Sequence, residues 1–330
     1  MNKSLTEFFA NRKCLVTGGT GMIGRAIVRM LCEAKAEVTS VSLDDVVADD
    51  RAKSITADLT ELSVCMDITK GMDYVFHVAG IKGSIEVTKS HPASFFVPLL
   101  MFNTNILEAC RRNKIKKVVY TSSIGAYPAN EIFVEPSEFD PGKEPPPMDM
   151  FPGWAKRMGE MQILAYKKQY GMTNMAIVRP CNVYGPWDNF DPENAMVIPS
   201  LMARIAQKET PLSVWGDGSA IRDFAYSEDV ALGTMQALRY GTGGEFVNLG
   251  SGKGHTVREL VETLNQFIDF RYEFDTSKPS GFPKRVMSIE KAREQINYDP
   301  QTSLHEGLKA TWEWFLSNRN EYLNRKNYFK

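Results

Sequence analysis

The 330-residue sequence has no excess of charge of either sign, because 39 lysine and arginine residues stand against 40 aspartate and glutamate residues. This balance does not favour a nucleic-acid partner or an anionic membrane surface, both of which attract clustered positive charge. No apolar run approaches the length that spans a bilayer, and the polar N-terminal segment is too poor in apolar residues for a signal peptide. We therefore expect a cytoplasmic protein with neither membrane nor nucleic acid as a partner.

Cysteine is also scarce. The five cysteines are odd in number and scattered, which is typical of buried thiols in a reducing compartment and excludes a disulfide framework. There is no cluster with metal-ligand spacing, no Walker loop, no internal repeat and no low-complexity tract, so we expect no metal. With 43% hydrophobic and 24% charged residues, the composition is that of an ordinary globular protein.

The most informative stretch is Lys13–Gly24, KCLVTGGTGMIG. Its apolar start, Cys14–Thr17, predicts a buried parallel strand, and the helical periodicity of Arg25–Ala34 predicts a helix after the glycines. Between them the glycines follow the spacing G-x-x-G-x-x-G, so the backbone can turn tightly and approach a pyrophosphate at the helix N-terminus. The alternative is a plain strand-to-helix turn. The predicted cofactor contacts in this stretch are Gly18, Gly21, Met22 and Ile23.

An acidic pair follows the second predicted strand, Glu37–Leu43. A carboxylate at this place accepts hydrogen bonds from the adenosine ribose and repels a 2′-phosphate, which favours NAD over NADP. The sequence does not say whether Asp44 or Asp45 points inward, and a solvated loop carboxylate is the alternative. We assign Asp44 to the cofactor.

Strand and helix patterns continue to alternate through the first half of the chain, which predicts an α/β fold with a Rossmann-type, doubly wound parallel sheet. The further predicted strands are Ser54–Ala57, Tyr74–Val78, Lys117–Thr121 and Met175–Arg179, and the main helices are Phe102–Asn113 and Gly153–Tyr170. Residues 123–152 interrupt the pattern with a proline-rich insert, which at a strand end predicts part of a ligand cleft.

Beyond Pro180 the predicted strands are shorter. Helices are predicted at Val197–Gln207, Asp229–Leu238, Val257–Phe267, Ile289–Gln295 and Leu304–Asn318. We expect a cofactor domain over residues 1–180 and a smaller mixed α/β substrate lobe over residues 181–330, interleaved with the last strands of the sheet.

Eight motifs occur in a fixed order: TGGTGMIG, the Asp58-Leu59 pair, HVAG, TSSIGAY, GWAKRMGE, RPCNVYGP, RDFAYSEDVA and FVNLGSG. This series resembles the extended short-chain dehydrogenases/reductases, most closely the nucleotide-sugar epimerases, dehydratases and reductases. The resemblance spans nearly the whole chain and implies NAD as the cofactor. It adds Asp58, Leu59, Val78 and Ala79 to the expected cofactor contacts.

In that family a serine or threonine after strand five, a tyrosine, and a lysine four residues after the tyrosine carry hydride chemistry. The resemblance places the hydroxyl at Ser123, with Ser122 as the less favoured neighbour, and the lysine at Lys156. Such chemistry needs a hydroxyl that bonds the substrate oxygen and a cation that holds the nicotinamide ribose. A strand-end turn hydroxyl and a solvated helix lysine are the alternatives.

The sequence departs from the family at the tyrosine. Pro152 stands four residues before Lys156, and its neighbour Phe151 also lacks a hydroxyl. If the alignment slips by one residue, Phe151 occupies the catalytic position. Tyr127, Asp149 or a water could replace the missing group, or the protein could bind without turnover. Leu99 is a second departure, because relatives often carry an asparagine there.

On the substrate side the resemblance assigns Asn182 to the sugar-nucleotide diphosphate and Arg222 to the diphosphate or the ribose, with Arg285 as a second candidate arginine. A guanidinium suits this task because its planar fork matches phosphate oxygens. Lys82 is placed to meet substrate oxygens, although plain solvent exposure would look the same. Val197 and Trp215 are predicted to flank the base.

Together these features predict an NAD-dependent oxidoreductase or epimerase that acts on a nucleoside-diphosphate sugar, with hydride transfer at sugar C4. GWAKRMGE is similar to GDP-sugar enzymes, which favours GDP-heptose or GDP-mannose types. The alternative is an NAD-binding sensor or scaffold without catalysis. The family resemblance also implies a homodimer or higher homo-oligomer formed through helices 102–113 and 153–170.

Overall fold

The computed structural model describes residues 2–81, 85–128, 133–134, 143–191, 194–278 and 280–323. Its strands are β1 (Lys13–Thr17), β2 (Glu37–Ser42), β3 (Lys53–Thr56), β4 (Tyr74–His77), β5 (Lys117–Thr121), β6 (Phe133–Val134), β7 (Met175–Pro180), β8 (Asn182–Tyr184), β9 (Leu212–Trp215), β10 (Ile221–Arg222), β11 (Phe224–Tyr226), β12 (Phe246–Leu249), β13 (His255–Thr256), β14 (Tyr272–Asp275) and β15 (Lys284–Met287).

The α-helices are α1 (Lys3–Phe9), α2 (Met22–Glu33), α3 (Leu62–Thr69), α4 (Ile85–Ser90), α5 (Pro92–Arg112), α6 (Met150–Tyr170), α7 (Val197–Ala206), α8 (Ser227–Tyr240), α9 (Val257–Asn265), α10 (Glu290–Ile296) and α11 (Leu304–Leu323). Every strand and helix that the sequence predicts is present, with ends displaced by a few residues except at the start of α5.

Seven parallel strands form the main sheet in the order β12-β7-β5-β4-β1-β2-β3. The order reverses between β1 and β4, and in open parallel sheets such a reversal leaves a crevice at the carboxyl ends of the strands. The central strands are buried on both faces, as continuous apolar runs predict, whereas the edge strand β3 is mostly exposed. The predicted Rossmann-type sheet is confirmed.

Helices cover both faces of this sheet. On one side α5 packs against α3 and α6, and α2 packs against α8. A second apolar core lies among residues of the C-terminal half, including Leu201, Leu260 and Phe315. The chain after residue 180 contributes to both cores, since β12 is a strand of the main sheet and α8 and α10 pack on that sheet. The division at residue 180 stays a prediction.

Helix α5 corrects one expectation. It is 21 residues long with a mean hydropathy of 1.3 in its most apolar window, so by length and composition it could cross a membrane. Polar residues interrupt the sequence of α5, so the helix contains no long unbroken apolar run. Within the fold, Phe95, Leu99 and Ile106 of α5 are buried in the core, and 44% of that apolar window is buried.

Candidate cofactor and active site

The glycine loop after β1 lies directly against the chain that follows β4. Gly18 has a φ of +69°, and a Cβ atom added to it would lie 2.7 Å from the Cα of Ala79. A Cβ atom added to Gly24 would lie 2.1 Å from the carbonyl oxygen of Gly18. A side chain at Gly18 would therefore push the loop away from Val78 and Ala79, and one at Gly24 would push α2 away from the loop, so both close approaches require glycine.

The loop ends at the N-terminus of α2, where Gly21 is the N-cap residue. Met22 and Ile23 form the first turn of α2 and are partly exposed. Their backbone N–H groups belong to the set that a helix leaves without an internal partner, and they carry the positive end of the helix dipole. The structure thus brings Gly18, Gly21, Met22 and Ile23 together in an arrangement that fits a pyrophosphate.

The two aspartates after β2 differ in their surroundings. Asp44 is half-buried, and its Oδ2 atom accepts a hydrogen bond from the Thr20 hydroxyl at 3.1 Å, whereas Asp45 is exposed. Asp44 is therefore the carboxylate that is tied to the glycine loop, as assigned. Its contact with a ribose stays a prediction.

The Asp58-Leu59 pair lies at the end of the loop that follows β3. Leu59 is buried, whereas Asp58 is exposed and accepts a hydrogen bond from the Thr60 N–H at 2.9 Å. The Asn105 side chain on α5 donates to the carbonyl oxygens of Leu59 and Thr60 at 3.3 and 2.8 Å. This amide holds the loop, so Asp58 is presented to solvent from a supported backbone.

His77 is a structural residue below the cleft. Its ring is fully buried, with Nδ1 2.7 Å from the Thr17 hydroxyl and Nε2 2.9 Å from Oδ1 of Asn103. Burial, reinforced by the positive charge of Lys156, lowers the pKa of His77 to about 3. The ring is therefore neutral at physiological pH and joins β1, β4 and α5.

Lys156, on α6, lies at the carboxyl ends of β4 and β5. Its Nζ atom donates to the Thr121 carbonyl at 2.7 Å and lies 3.9 Å from where a Cβ atom of Gly80 would stand. Burial lowers the pKa of Lys156 to about 8, opposed by the negative charge of Glu160. The ammonium group is thus beside the crevice where the resemblance expects the nicotinamide ribose.

The two serines after β5 have different roles. The Ser122 hydroxyl is buried and donates to Glu160 Oε1 at 2.5 Å. Ser123 is partly exposed, and its Oγ atom accepts a hydrogen bond from the Gly125 N–H at 3.0 Å, which leaves the hydroxyl proton free for another acceptor. Of the two, Ser123 is the hydroxyl that a substrate can reach, and its catalytic role stays a prediction.

The structure supplies no hydroxyl from the two aromatic candidates. Tyr127 is fully buried, and its hydroxyl donates to Asn248 Oδ1 at 2.8 Å inside the core. The suggestion that Tyr127 replaces the missing acid/base is therefore wrong, because core packing turns its hydroxyl away from the crevice. Phe151 is 44% exposed at the start of α6 with its ring edge against Phe96. Neither Phe151 nor Pro152 can exchange a proton.

The residues predicted to grip the diphosphate bond to the protein itself. The Arg222 guanidinium donates to the carbonyl oxygens of Phe282 and Ser280, at 2.5 and 3.1 Å. The Asn182 amide donates to the Asp223 carbonyl at 3.0 Å. A diphosphate would have to share or replace these bonds, so both assignments stay predictions.

Arg285 is the most engaged of the three. It forms an ion pair with Asp149 at 2.9 Å and donates to the Ile124 carbonyl at 2.7 Å. Its guanidinium thus joins β15 to the segment after β5, a contact that the sequence did not predict.

The predicted base contacts are open to solvent. Trp215 is 54% exposed and Val197, at the start of α7, is 37% exposed. Lys82 lies outside the described residues. Within the described ranges there is no group of three or more histidine, cysteine, aspartate or glutamate residues that could hold a metal ion.

Sequence reasoning missed a buried ionic group below the site. Glu160, one helical turn after Lys156, accepts from Arg179 at 2.8 and 2.6 Å while also holding Ser122. The spacing in the sequence could have predicted the position of Glu160, because a glutamate four residues after Lys156 lies on the same face of α6. Its arginine partner on β7 could not be read from local spacing.

Comparison with known proteins agrees with this arrangement. The model of the NAD dependent epimerase/dehydratase family matches residues 14–250. The chain is 31% identical over 325 residues to a probable GDP-L-fucose synthase of Oryza sativa, covering 94% of this chain and 95% of that one. It is 32% identical over 317 residues to a putative UDP-glucose 4-epimerase of Methanocaldococcus jannaschii, covering 92% and 98%.

Among solved structures, the UDP-glucose 4-epimerase of Thermotoga maritima with UDP-glucose superposes with a TM-score of 0.82 at 28% identity, covering 93% of this chain and 99% of that one. The glycine cradle and the partly exposed Ser123 and Lys156 lie at the crevice of the same fold. The protein therefore belongs to the NAD dependent epimerase/dehydratase family, and NAD is its cofactor.

Proposed function

We propose that the protein is an NAD-dependent enzyme that moves a hydride between C4 of a nucleoside-diphosphate sugar and the nicotinamide. The observation that carries this proposal is the pairing of a partly exposed hydroxyl, Ser123, with a partly buried ammonium group, Lys156, which donates to the last residue of β5 beside the glycine cradle. A scaffold would not need a lysine kept inside the crevice, where burial lowers its pKa to about 8.

The chain's own residues have separable tasks. The glycine loop and the first turn of α2 hold the pyrophosphate, and Lys156 holds the far ribose through its ammonium group. Ser123 donates its hydroxyl hydrogen to the sugar oxygen, because its own oxygen already accepts a hydrogen bond from the Gly125 N–H. Bound NAD supplies the hydride acceptor. The remaining task, proton exchange with the sugar hydroxyl, has no tyrosine to perform it.

A GDP-sugar is our proposed substrate, of the GDP-heptose or GDP-mannose type. The support is the GWAKRMGE motif together with relatives named GDP-L-fucose synthase, including that of Escherichia coli, which is 29% identical over 333 residues. The relatives named for UDP-glucose make UDP-sugars the competing class. We leave epimerase and dehydrogenase as the two outcomes of one hydride removal, which differ in whether the hydride returns to the sugar.

We also propose a homodimer formed through α5 and α6. These helices pack against each other and leave large apolar side chains exposed, namely Val97, Met101, Phe151 and Met158. Light scattering should report twice the mass of one chain, and Met101→Glu together with Met158→Glu should shift the mass to a monomer. A monomeric parent protein would refute this proposal.

The test of function is direct. Purified protein is incubated with NAD and, separately, GDP-L-fucose, GDP-mannose and UDP-glucose, and nicotinamide absorbance and product mass are followed. We expect turnover of a GDP-sugar, lost in both Ser123→Ala and Lys156→Met. Absence of turnover with every sugar, while NAD still binds, would refute the proposal.

That negative result would favour the second candidate, an NAD-binding sensor. The observation in its favour is Pro152, which stands where the family has its tyrosine. Sensor and enzyme make opposite predictions in the same assay, because any sustained conversion of a sugar nucleotide excludes the sensor.

A further inference from the structure

The absence of a tyrosine leaves the sugar proton without an acceptor, and the structure restricts the replacements. Lys156 donates to the Thr121 carbonyl, and the hydroxyl of Ser122 is committed to Glu160. Tyr127 is bonded to Asn248 in the core. Of the ionisable groups that the described residues place around Ser123, the carboxylate of Asp149 is the one suited to receive a proton.

Asp149 is oriented away from the role that its position suggests. It is the N-cap residue of α6, where an aspartate usually accepts a backbone N–H bond and stabilises the helix. Among the described residues its side chain makes no such capping bond. The carboxylate points instead at the segment that follows β5, so helix stability does not explain its orientation.

Gly125 connects this carboxylate to the reactive serine. A Cβ atom added to Gly125 would lie 3.2 Å from Cγ and 3.4 Å from Oδ1 of Asp149. The N–H group of the same glycine donates to the Ser123 hydroxyl at 3.0 Å. Asp149 and Ser123 therefore flank a single residue without a side chain, and the carboxylate fills the space that a side chain on residue 125 would take.

Arg285 holds Asp149 in place by one oxygen only. Its NH1 atom donates to Oδ2 at 2.9 Å, and its NH2 atom donates to the Ile124 carbonyl at 2.7 Å. In the described part of the chain Oδ1 has no hydrogen-bond partner. The pair is partly buried, and 29% of the Asp149 side chain is exposed, so the carboxylate is held by Arg285 and still borders solvent.

We propose that Asp149 is the catalytic residue that exchanges the proton of the sugar hydroxyl, in place of the family's tyrosine; this inference rests on the proposed function. In the oxidation, the O–H bond of the C4 hydroxyl breaks and its proton passes to Asp149 Oδ1. The electron pair of that O–H bond forms the second C4–O bond of the carbonyl. The hydrogen on C4 leaves with its electron pair, which NAD bound in the glycine cradle would accept. The reverse step returns the proton from Asp149.

The surroundings of Asp149 contain charged groups of both signs. Arg285 on β15 contacts it, Lys143 and Glu144 precede it on exposed chain, and Arg157 on α6 donates to the carbonyl oxygens of Ala126 and Lys143. The arginines keep their charge over the working range.

The experiment compares Asp149→Asn, Asp149→Glu and the parent protein with NAD and whichever of GDP-L-fucose, GDP-mannose and UDP-glucose the parent protein converts. General bases contribute about 100-fold to 10,000-fold to rates, so Asp149→Asn should lower kcat at least about 100-fold. It should also abolish the acidic limb of the pH profile, whereas Asp149→Glu should keep the limb. The matched control is Glu290→Gln, a carboxylate that also lies at a helix start and pairs with an arginine, and it should behave like the parent protein.

NAD affinity and the urea midpoint of each variant separate chemistry from folding. Both should be near the parent values in Asp149→Asn. Two results would overturn the assignment while leaving the proposed function intact. In the first, Asp149→Asn and Asp149→Glu lower kcat equally and also lower the urea midpoint equally. In the second, the kcat of Asp149→Asn stays within threefold of the parent value. A parent protein that converts none of the three sugar nucleotides would instead refute the proposed function, and the assignment with it.

Discussion

Replacing Glu160 by glutamine should destabilise the protein strongly, although the two side chains have nearly the same shape. The Glu160 carboxylate accepts three hydrogen bonds, one from Ser122 at 2.5 Å and two from Arg179 at 2.8 and 2.6 Å. The side chains of Glu160 and Arg179 are each only 3% exposed. Water therefore cannot reach the Arg179 guanidinium to solvate it once the charge of Glu160 is removed.

The magnitude follows from the charge that is left behind. Breaking a buried ion pair by removing one partner costs about 3–5 kcal/mol, because the other charge stays in the interior without compensation. Glutamine can retain a bond to Ser122 and one to Arg179, and Arg179 also stacks 3.6 Å from the centre of the Phe246 ring. These contacts favour the lower end, so we expect a loss of about 3 kcal/mol in the free energy of unfolding.

Urea unfolding followed by circular dichroism measures this loss. The control is Glu290→Gln, which removes a carboxylate from an exposed pair with Arg293 and should cost less than about 1 kcal/mol. Replacing both buried partners, as Glu160→Leu with Arg179→Met, should restore most of the stability. A loss below about 1 kcal/mol in Glu160→Gln would show that the interior tolerates an unpaired Arg179, and the electrostatic reasoning would be refuted.

Three further predictions concern the crevice. Gly24→Ala should weaken NAD binding about tenfold to 100-fold in calorimetry. The reason is that its Cβ would lie 2.1 Å from the Gly18 carbonyl oxygen, and overpacking costs about 1–3 kcal/mol. Gly21→Ala places its Cβ 3.3 Å from the same oxygen and should therefore weaken NAD binding less. The pKa of Lys156, lowered to about 8, predicts that kcat/KM falls above that pH as the ammonium group loses its proton. This basic limb of the pH profile should move to lower pH in Glu160→Gln, because the negative charge of Glu160 raises the pKa of Lys156. A limb that does not move would contradict this effect of Glu160 on Lys156. Finally, the pKa of His77 is lowered from 6.5 to about 3 in the folded state. The unfolded chain therefore binds a proton at a higher pH than the folded protein does. The free energy of unfolding should fall as the pH drops through this interval, by about 1.4 kcal/mol per pH unit at most. His77→Gln should flatten this dependence in urea unfolding at several pH values, and an unchanged slope would assign the acid sensitivity to other groups.

Local patterns predicted the main elements well because their determinants are close together in the chain. The strand, the glycine turn and the helix of residues 13–33 follow from neighbouring residues, and the structure has them as β1, the loop and α2. Helix α5 was less well predicted, since periodicity placed its start at Phe102, whereas the structure begins it at Pro92 and continues it through Pro98. Packing against α3 and α6 stabilises this helix despite a proline that lowers its intrinsic propensity.

The candidate site divides in the same way. Ser123 and Lys156 were identified from motifs, and the structure places both at the crevice. Tyr127 was a reasonable candidate by its proximity in sequence to Ser123, yet its hydroxyl is bonded to Asn248, a residue 121 positions away. Direction of a side chain depends on what packs around it, and motif spacing does not contain that information.

The sequence by itself determined the cofactor cradle and the family, because glycine spacing, strand composition and helix periodicity act over a few residues. Only the tertiary structure decided that Arg285 holds Asp149 against Gly125 and that Arg179 neutralises Glu160. These pairs join residues 136 and 19 positions apart. Their partners are chosen by strand order and by the cost of leaving a buried charge unpaired, which no local pattern expresses.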